Sequence, residues 1–134
     1  MATFEIIPLL YDEHLQCASF DVRLGEDTPE MTHDLNVGLL FEHYPDLRRH
    51  RCDSGKHRSF FDEARQTETV HLLEHLAVEL LVLSGVARDR ARGETGIPDN
   101  EGQSAYRLRF YGANSLEEMD TLLRQAISTI SKLY

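Results

Sequence analysis

The chain has only two cysteines, Cys17 and Cys52. That is too few for a disulfide scaffold. Cys17 sits before a predicted strand and reads as a small buried residue. Cys52 follows Arg48-Arg49-His50-Arg51, a setting that favours a reactive thiol, although a structural thiol is the leading reading there too. Long apolar runs are missing as well. None approaches the ~20 residues that cross a bilayer. The start, MATFEIIPLL, has no basic stretch ahead of its short apolar patch and does not read as a signal peptide. A cytoplasmic location is therefore expected. Basic charge is scarce: 14 Lys and Arg stand against 23 Asp and Glu, a net charge of −9. Nucleic-acid and anionic-membrane surfaces need a basic footprint, so neither is an expected partner. Internal repeats and low-complexity tracts are also absent.

What remains is ordinary for a globular protein. The 134 residues are 41% hydrophobic and 28% charged, which suits one domain over 1–134 with one core. Residues 3–10 read as a strand, with Pro8 marking an edge or a strand end. Residues 18–24 alternate, with Ala18, Phe20, Val22 and Leu24 on one face and Ser19, Asp21 and Arg23 on the other. Thr28-Pro29 reads as a helix start, followed by the stripe Met31, Leu35, Gly38 and Leu39 and ended by Pro45. Residues 46–58 form a polar loop. Ser59 to Asp62 resembles a capping box for a short helix reaching about Gln66. A long helix runs from about Thr67 to Ser84, with Gly85 as its cap. Residues 87–104 read as a long charged loop, and 105–112 as a third alternating strand that could pair across a dimer. The last helix starts at Ser115, with Glu118 completing a capping box. The expected fold class is α+β: a small, mostly antiparallel sheet of about three strands with helices packed on one face.

The long helix contains HLLEHLAVE, residues 71–79. At ~100° per residue, Leu72, Leu73, Leu76, Leu80 and Leu83 make an apolar face. His71, Glu74, His75 and Glu79 share an arc of roughly 140° opposite. Val78 and Val82 lie in that arc too, and the helix has no lysine or arginine, so this is not a plain solvated surface. The pattern suits a metal. His71 and His75 can reach one ion from successive turns, and Glu74 can take a proton from a water the ion activates. H-x-x-E-H is the inverted zincin signature, which binds zinc through both histidines and uses the glutamate as base. Glu79, one turn on, can complete the site or orient a ligand histidine. A more distant carboxylate such as Glu117 or Glu118 could also be the third ligand. The competing reading is a polar seam in which the histidines simply bond to neighbouring carboxylates. Basic residues cluster at Arg48–Arg51 with Lys56, His57 and Arg58, and at Arg88, Arg90 and Arg92. Solvated loops or a local site for carboxylates would explain either group.

Residues 41–86 resemble the N-terminal domain of cyanophycin synthetase. The family's Pro-x-Leu turn matches Pro45-Asp46-Leu47. Its His-x-Cys-Ser/Asp-x-Gly loop matches the run His50 to Gly55. Its His-x-x-Glu-His-x-x-x-Glu-Leu helix matches His71 to Leu80, and a family strand matches Tyr106–Tyr111. The resemblance covers about residues 15 to 130, and the synthetase's ATP-dependent domains have no counterpart here. It implies a free-standing copy of that domain that cannot ligate amino acids with ATP. In the family the domain anchors the growing polymer, a poly-aspartate carrying arginine on each side chain. Some members also hydrolyse it at a site of the pitrilysin type. The family's arginine loop is echoed only loosely by residues 88–95. The resemblance further implies that His50 and Cys52 pack near the helix. The candidate substrate-binding residues are His50, Arg51, Arg88, Arg90 and Arg92, with an arginine of 88–92 also available to an oxyanion.

Two functions follow. The first is a zinc-dependent amide or peptide hydrolase, with metal on His71, His75 and Glu79 and Glu74 as base, acting on a cyanophycin-like polymer or another peptide. The second is a non-catalytic peptide- or polymer-binding or regulatory module that keeps the fold. A homo-oligomer is compatible with both.

Overall fold

The computed structural model describes residues 3–32, 36–50, 60–64, 67–98 and 105–133, and the backbone alone at 62 and 63. Its strands are β1 (Phe4–Asp12), β2 (Cys17–Leu24), β3 (Arg92–Gly96) and β4 (Ala105–Tyr111). Its helices are α1 (Val37–His43), α2 (Phe60–Glu63), α3 (Thr69–Leu83) and α4 (Leu116–Ser131), with a 3-10 turn at Pro45–Arg49 between α1 and α2. The strands form one antiparallel sheet in the order β1-β2-β4-β3. The protein is α+β, as expected, but the sheet has four strands and not three.

The alternation in β2 and β4 decides which face of the sheet is covered. Phe20 pairs with Leu108, Ala18 with Phe110 and Val22 with Tyr106, so their side chains share one face and all are buried. The facing pair Asp21 and Arg107 is bonded on the other side, at 2.9 Å. Helices α3 and α4 pack against the sheet and each other. Helix α4 presents Met119, Leu122, Leu123, Ala126 and Ile130 to the core. Its start is set locally, because the Ser115 hydroxyl accepts from Glu118 N at 3.0 Å. Helix α3 is different. Every residue but His71 from Thr69 to Leu81 is buried, because the sheet, α4 and the 3-10 turn all press on it.

Three local expectations change. Residues 92–96 form β3 instead of loop; two glycines in five residues give little strand propensity, and pairing with β4 supplies the order. Thr28-Pro29 does not start a helix. The Thr28 hydroxyl accepts from Thr3 N at 2.7 Å and donates to Thr3 O at 2.9 Å, and α1 begins at Val37 under the Asn36 side chain. The strand read over 105–112 as one that could pair across a dimer is instead interior: β4 pairs with β2 from Ala105 to Tyr111 and with β3 from Arg107 to Tyr111, so its Arg107–Tyr111 part has no open edge. Edge strand β1 carries Pro8, where the register with β2 shifts. Cys17 is buried, and burial raises its thiol. No described helix is long and apolar enough to cross a membrane.

Candidate metal centre

The polar seam of α3 lies against two other parts of the chain. One is the end of the 3-10 turn, which delivers His50. The other is the segment from Arg88 through β3. Because helical residues 71, 74, 75 and 79 are spaced by three and four, they project from one side, and the fold closes over that side.

His71 and His75 converge. Their Nε2 atoms are 3.0 Å apart, and Glu74 Oε2 is 3.6 Å from His75 Nε2. One donor atom from each of His71, Glu74 and His75 can be chosen so that all three lie within 4.8 Å of one another. Two imidazole nitrogens are donors that suit zinc, and the Glu74 oxygen beside them is placed to act on a water held there. The His75 ring is held flat against Phe60, with centroids 3.9 Å apart and planes 12° apart. Thr67 Oγ1 is 2.9 Å from His71 Nδ1. Burial, reinforced by the neighbouring His71 and His50 rings, pushes His75 down to about 2, which keeps it neutral as metal binding requires.

Glu74 is 6% exposed and accepts the Thr95 hydroxyl at 3.1 Å. Burial pushes its carboxyl up to about 7, against the Thr95 hydrogen bond and with a contribution from Glu94. This places the group where a general base works best. The approach of β3 depends on Gly93. A Cβ there would stand 2.8 Å from Glu74 Cγ and 2.9 Å from Val78 Cγ2.

Glu79 is placed otherwise than in the converging group. Arg88 donates through Nη1 to Glu79 Oε1 at 2.8 Å and through Nη2 to Oε2 at 3.1 Å. His50 Nε2 lies 2.8 Å from the same Oε1. Burial raises the Glu79 carboxyl, but the bonds from Arg88 and His50 outweigh it and hold the group below its ordinary value. His50 turns its other nitrogen to His75, Nδ1 to Nδ1 at 3.0 Å, and burial lowers its own pKa. Glu117 and Glu118 lie in the first turn of α4, outside the group.

Of the candidate substrate-binding residues, His50 and Arg88 reach this cluster. Arg90 instead donates to Gln16 at 3.0 Å. Arg92 lies over the Tyr111 ring at 4.3 Å, beside Glu94. Alternation along β3 puts Gly93 and Thr95 toward Glu74 and turns Arg92 away. Arg51 and Cys52 lie outside the described residues. Sequence reasoning missed Thr67, Phe60, Gly93 and Thr95. None of them left a signal in the sequence as a site residue; Gly93 reads there only as a turn former in a segment taken as loop.

A family model for the cyanophycin synthase-like N-terminal domain matches residues 19–134. No curated protein matches the chain.

Proposed function

The chain belongs to the cyanophycin synthase-like N-terminal domain family, and on that premise we propose that it is a zinc-dependent hydrolase of amide bonds. The proposed substrate is a cyanophycin-like polymer or another peptide. The observation that supports this best is the convergence of His71 Nε2 and His75 Nε2, 3.0 Å apart, beside a carboxylate. His71 and His75 would hold the zinc. When bound, the ion supplies Lewis-acid polarisation of the scissile carbonyl and activation of water.

The chain's own groups carry the proton. Glu74 takes a proton from the attacking water as its oxygen bonds to the carbonyl carbon. The same carboxyl then gives that proton to the departing nitrogen as the C–N bond breaks. Its raised pKa suits both halves of the transfer. Thr95 holds Glu74 Oε1 and leaves Oε2 toward the histidines. The Arg88 side chain is one-third exposed at the edge of the cluster, where Glu79 and Asp46 hold its guanidinium.

The test is a zinc assay together with cleavage of β-Asp-Arg polymer and of generic peptides. Wild type is expected to hold about one zinc and to cleave. Glu74→Gln should keep the metal and lose about 10²–10⁴-fold in rate. His75→Ala should lose the metal. A zinc-loaded wild type that cleaves nothing refutes the enzyme.

A second reading has one observation in its favour. The carboxylate oxygens of Glu79 and the ring nitrogens of His50 are satisfied within the protein, as in a structural network of a binding or regulatory module. That reading expects Glu74→Gln to leave function intact and His75→Ala mainly to lower stability.

A further inference from the structure

Resting on the zinc reading, we infer that Arg88, Glu79 and His50 form a positioning relay that locks His75 in its Nδ1–H tautomer and so presents its Nε2 lone pair to the metal. The assignment follows donor by donor. A guanidinium has only N–H donors, and Arg88 meets both oxygens of Glu79. Glu79 is therefore an ionised acceptor. Its Oε1 must take a proton-bearing nitrogen from His50, so His50 carries hydrogen on Nε2. Arg88 lies 2.8 Å from Glu79, and Asp46, 3.8 Å from Arg88, is half exposed and screened by water, so a second cation on His50, whose side chain is 7% exposed, would be desolvated beside a carboxylate that is already paired. His50 is then neutral, and its Nδ1 is an acceptor. The partner of that atom is His75 Nδ1 at 3.0 Å, which must donate. His75 is left with an unprotonated Nε2, the atom that faces His71 and Glu74.

The two ligands are prepared differently. His75 is preset by three residues drawn from the 3-10 turn, α3 and the segment before β3. His71 is adjustable, because its Nδ1 partner is the Thr67 hydroxyl, which donates or accepts by rotation. In the metal-free protein His71 Nε2–H donates to His75 Nε2. On zinc binding His71 shifts its proton to Nδ1, and Thr67 becomes the acceptor. Glu79 thus acts on the site through His50, two hydrogen bonds from the ligand atom.

The relay is tested by long-range ¹H–¹⁵N correlation on histidine-labelled, full-length, metal-free protein, with zinc affinity from chelator competition. The expected pattern is Nε2–H at His50, Nδ1–H at His75 and Nε2–H at His71, with only His71 changing tautomer when zinc is added. His50→Phe keeps a ring but removes the acceptor. It should convert His75 to a tautomer mixture and weaken zinc binding by about 10–100-fold. His50→Asn restores an acceptor near Nδ1 and should recover both the His75 tautomer and most of the affinity. An Nε2–H tautomer at His75 in wild type overturns the relay, even if the variants fail to fold. So does an unchanged zinc affinity in His50→Phe. A wild type with the expected tautomers that binds no zinc refutes the metal reading and leaves the relay standing as a structural one.

Discussion

Replacing Glu74 by glutamine should make the metal-free protein more stable, by an amount that depends on pH. Glu74 is buried beneath Gly93 and, among the described residues, is held by the Thr95 hydroxyl and a contact of 3.6 Å to His75. With its pKa raised from 4.5 to about 7, the folded protein holds this proton more tightly than the unfolded chain does. The neutral acid's contribution is complete below about pH 4.5 and is lost as pH rises through about 7. At ~1.4 kcal/mol per unit, ionising the buried carboxyl costs about 3 kcal/mol once pH exceeds 7. Glutamine is close to isosteric with the neutral acid, can still accept from Thr95, and never ionises. Urea unfolding of metal-free wild type and Glu74→Gln should therefore show the variant ahead by about 1 kcal/mol near pH 5 and by about 3 kcal/mol near pH 8. Other groups titrate alike in both proteins and cancel in the difference. A gap that fails to widen between pH 5 and pH 8 refutes the buried-base argument. So does a variant less stable than wild type at pH 8.

Gly93→Ala should push Glu74 out of place, since the new methyl would stand under 3 Å from Glu74 and Val78; urea unfolding should show a loss of about 1–3 kcal/mol, with cleavage falling more than zinc content. Arg88→Ala strips both bonds from the buried Glu79 carboxylate and should cost about 1–3 kcal/mol at pH 7. That loss should shrink at acidic pH, as the variant's Glu79 gains a proton, and a pH-independent loss would count against it. Ser115→Ala removes the cap of α4 and should cost about 1 kcal/mol in unfolding, while zinc affinity stays at the wild-type value.

Where a signal was local, the sequence alone carried it. Ser115 and Glu118 mark the start of α4 because the cap is a contact across three residues. The alternation of 18–24 and 105–111 marks two strands with one buried face, since side chains in a strand must alternate. The spacing of His71, Glu74 and His75 already put three donor groups on one side of a helix, and nothing but helical geometry was needed to say so. Tertiary structure decided the rest. Arg-Gly-Glu-Thr-Gly is a strand only because β4 offers an edge, and its glycine is needed only because Glu74 lies beneath it. Spacing put Glu79 on the same side as His71 and His75, yet whether it points to them or to Arg88 depends on where two distant segments dock. The same docking separates Arg88, which enters the cluster, from Arg90 and Arg92, which the identical basic run left indistinguishable. Periodicity reports which residues share a face; what that face meets is settled by the packing of segments far apart in the chain.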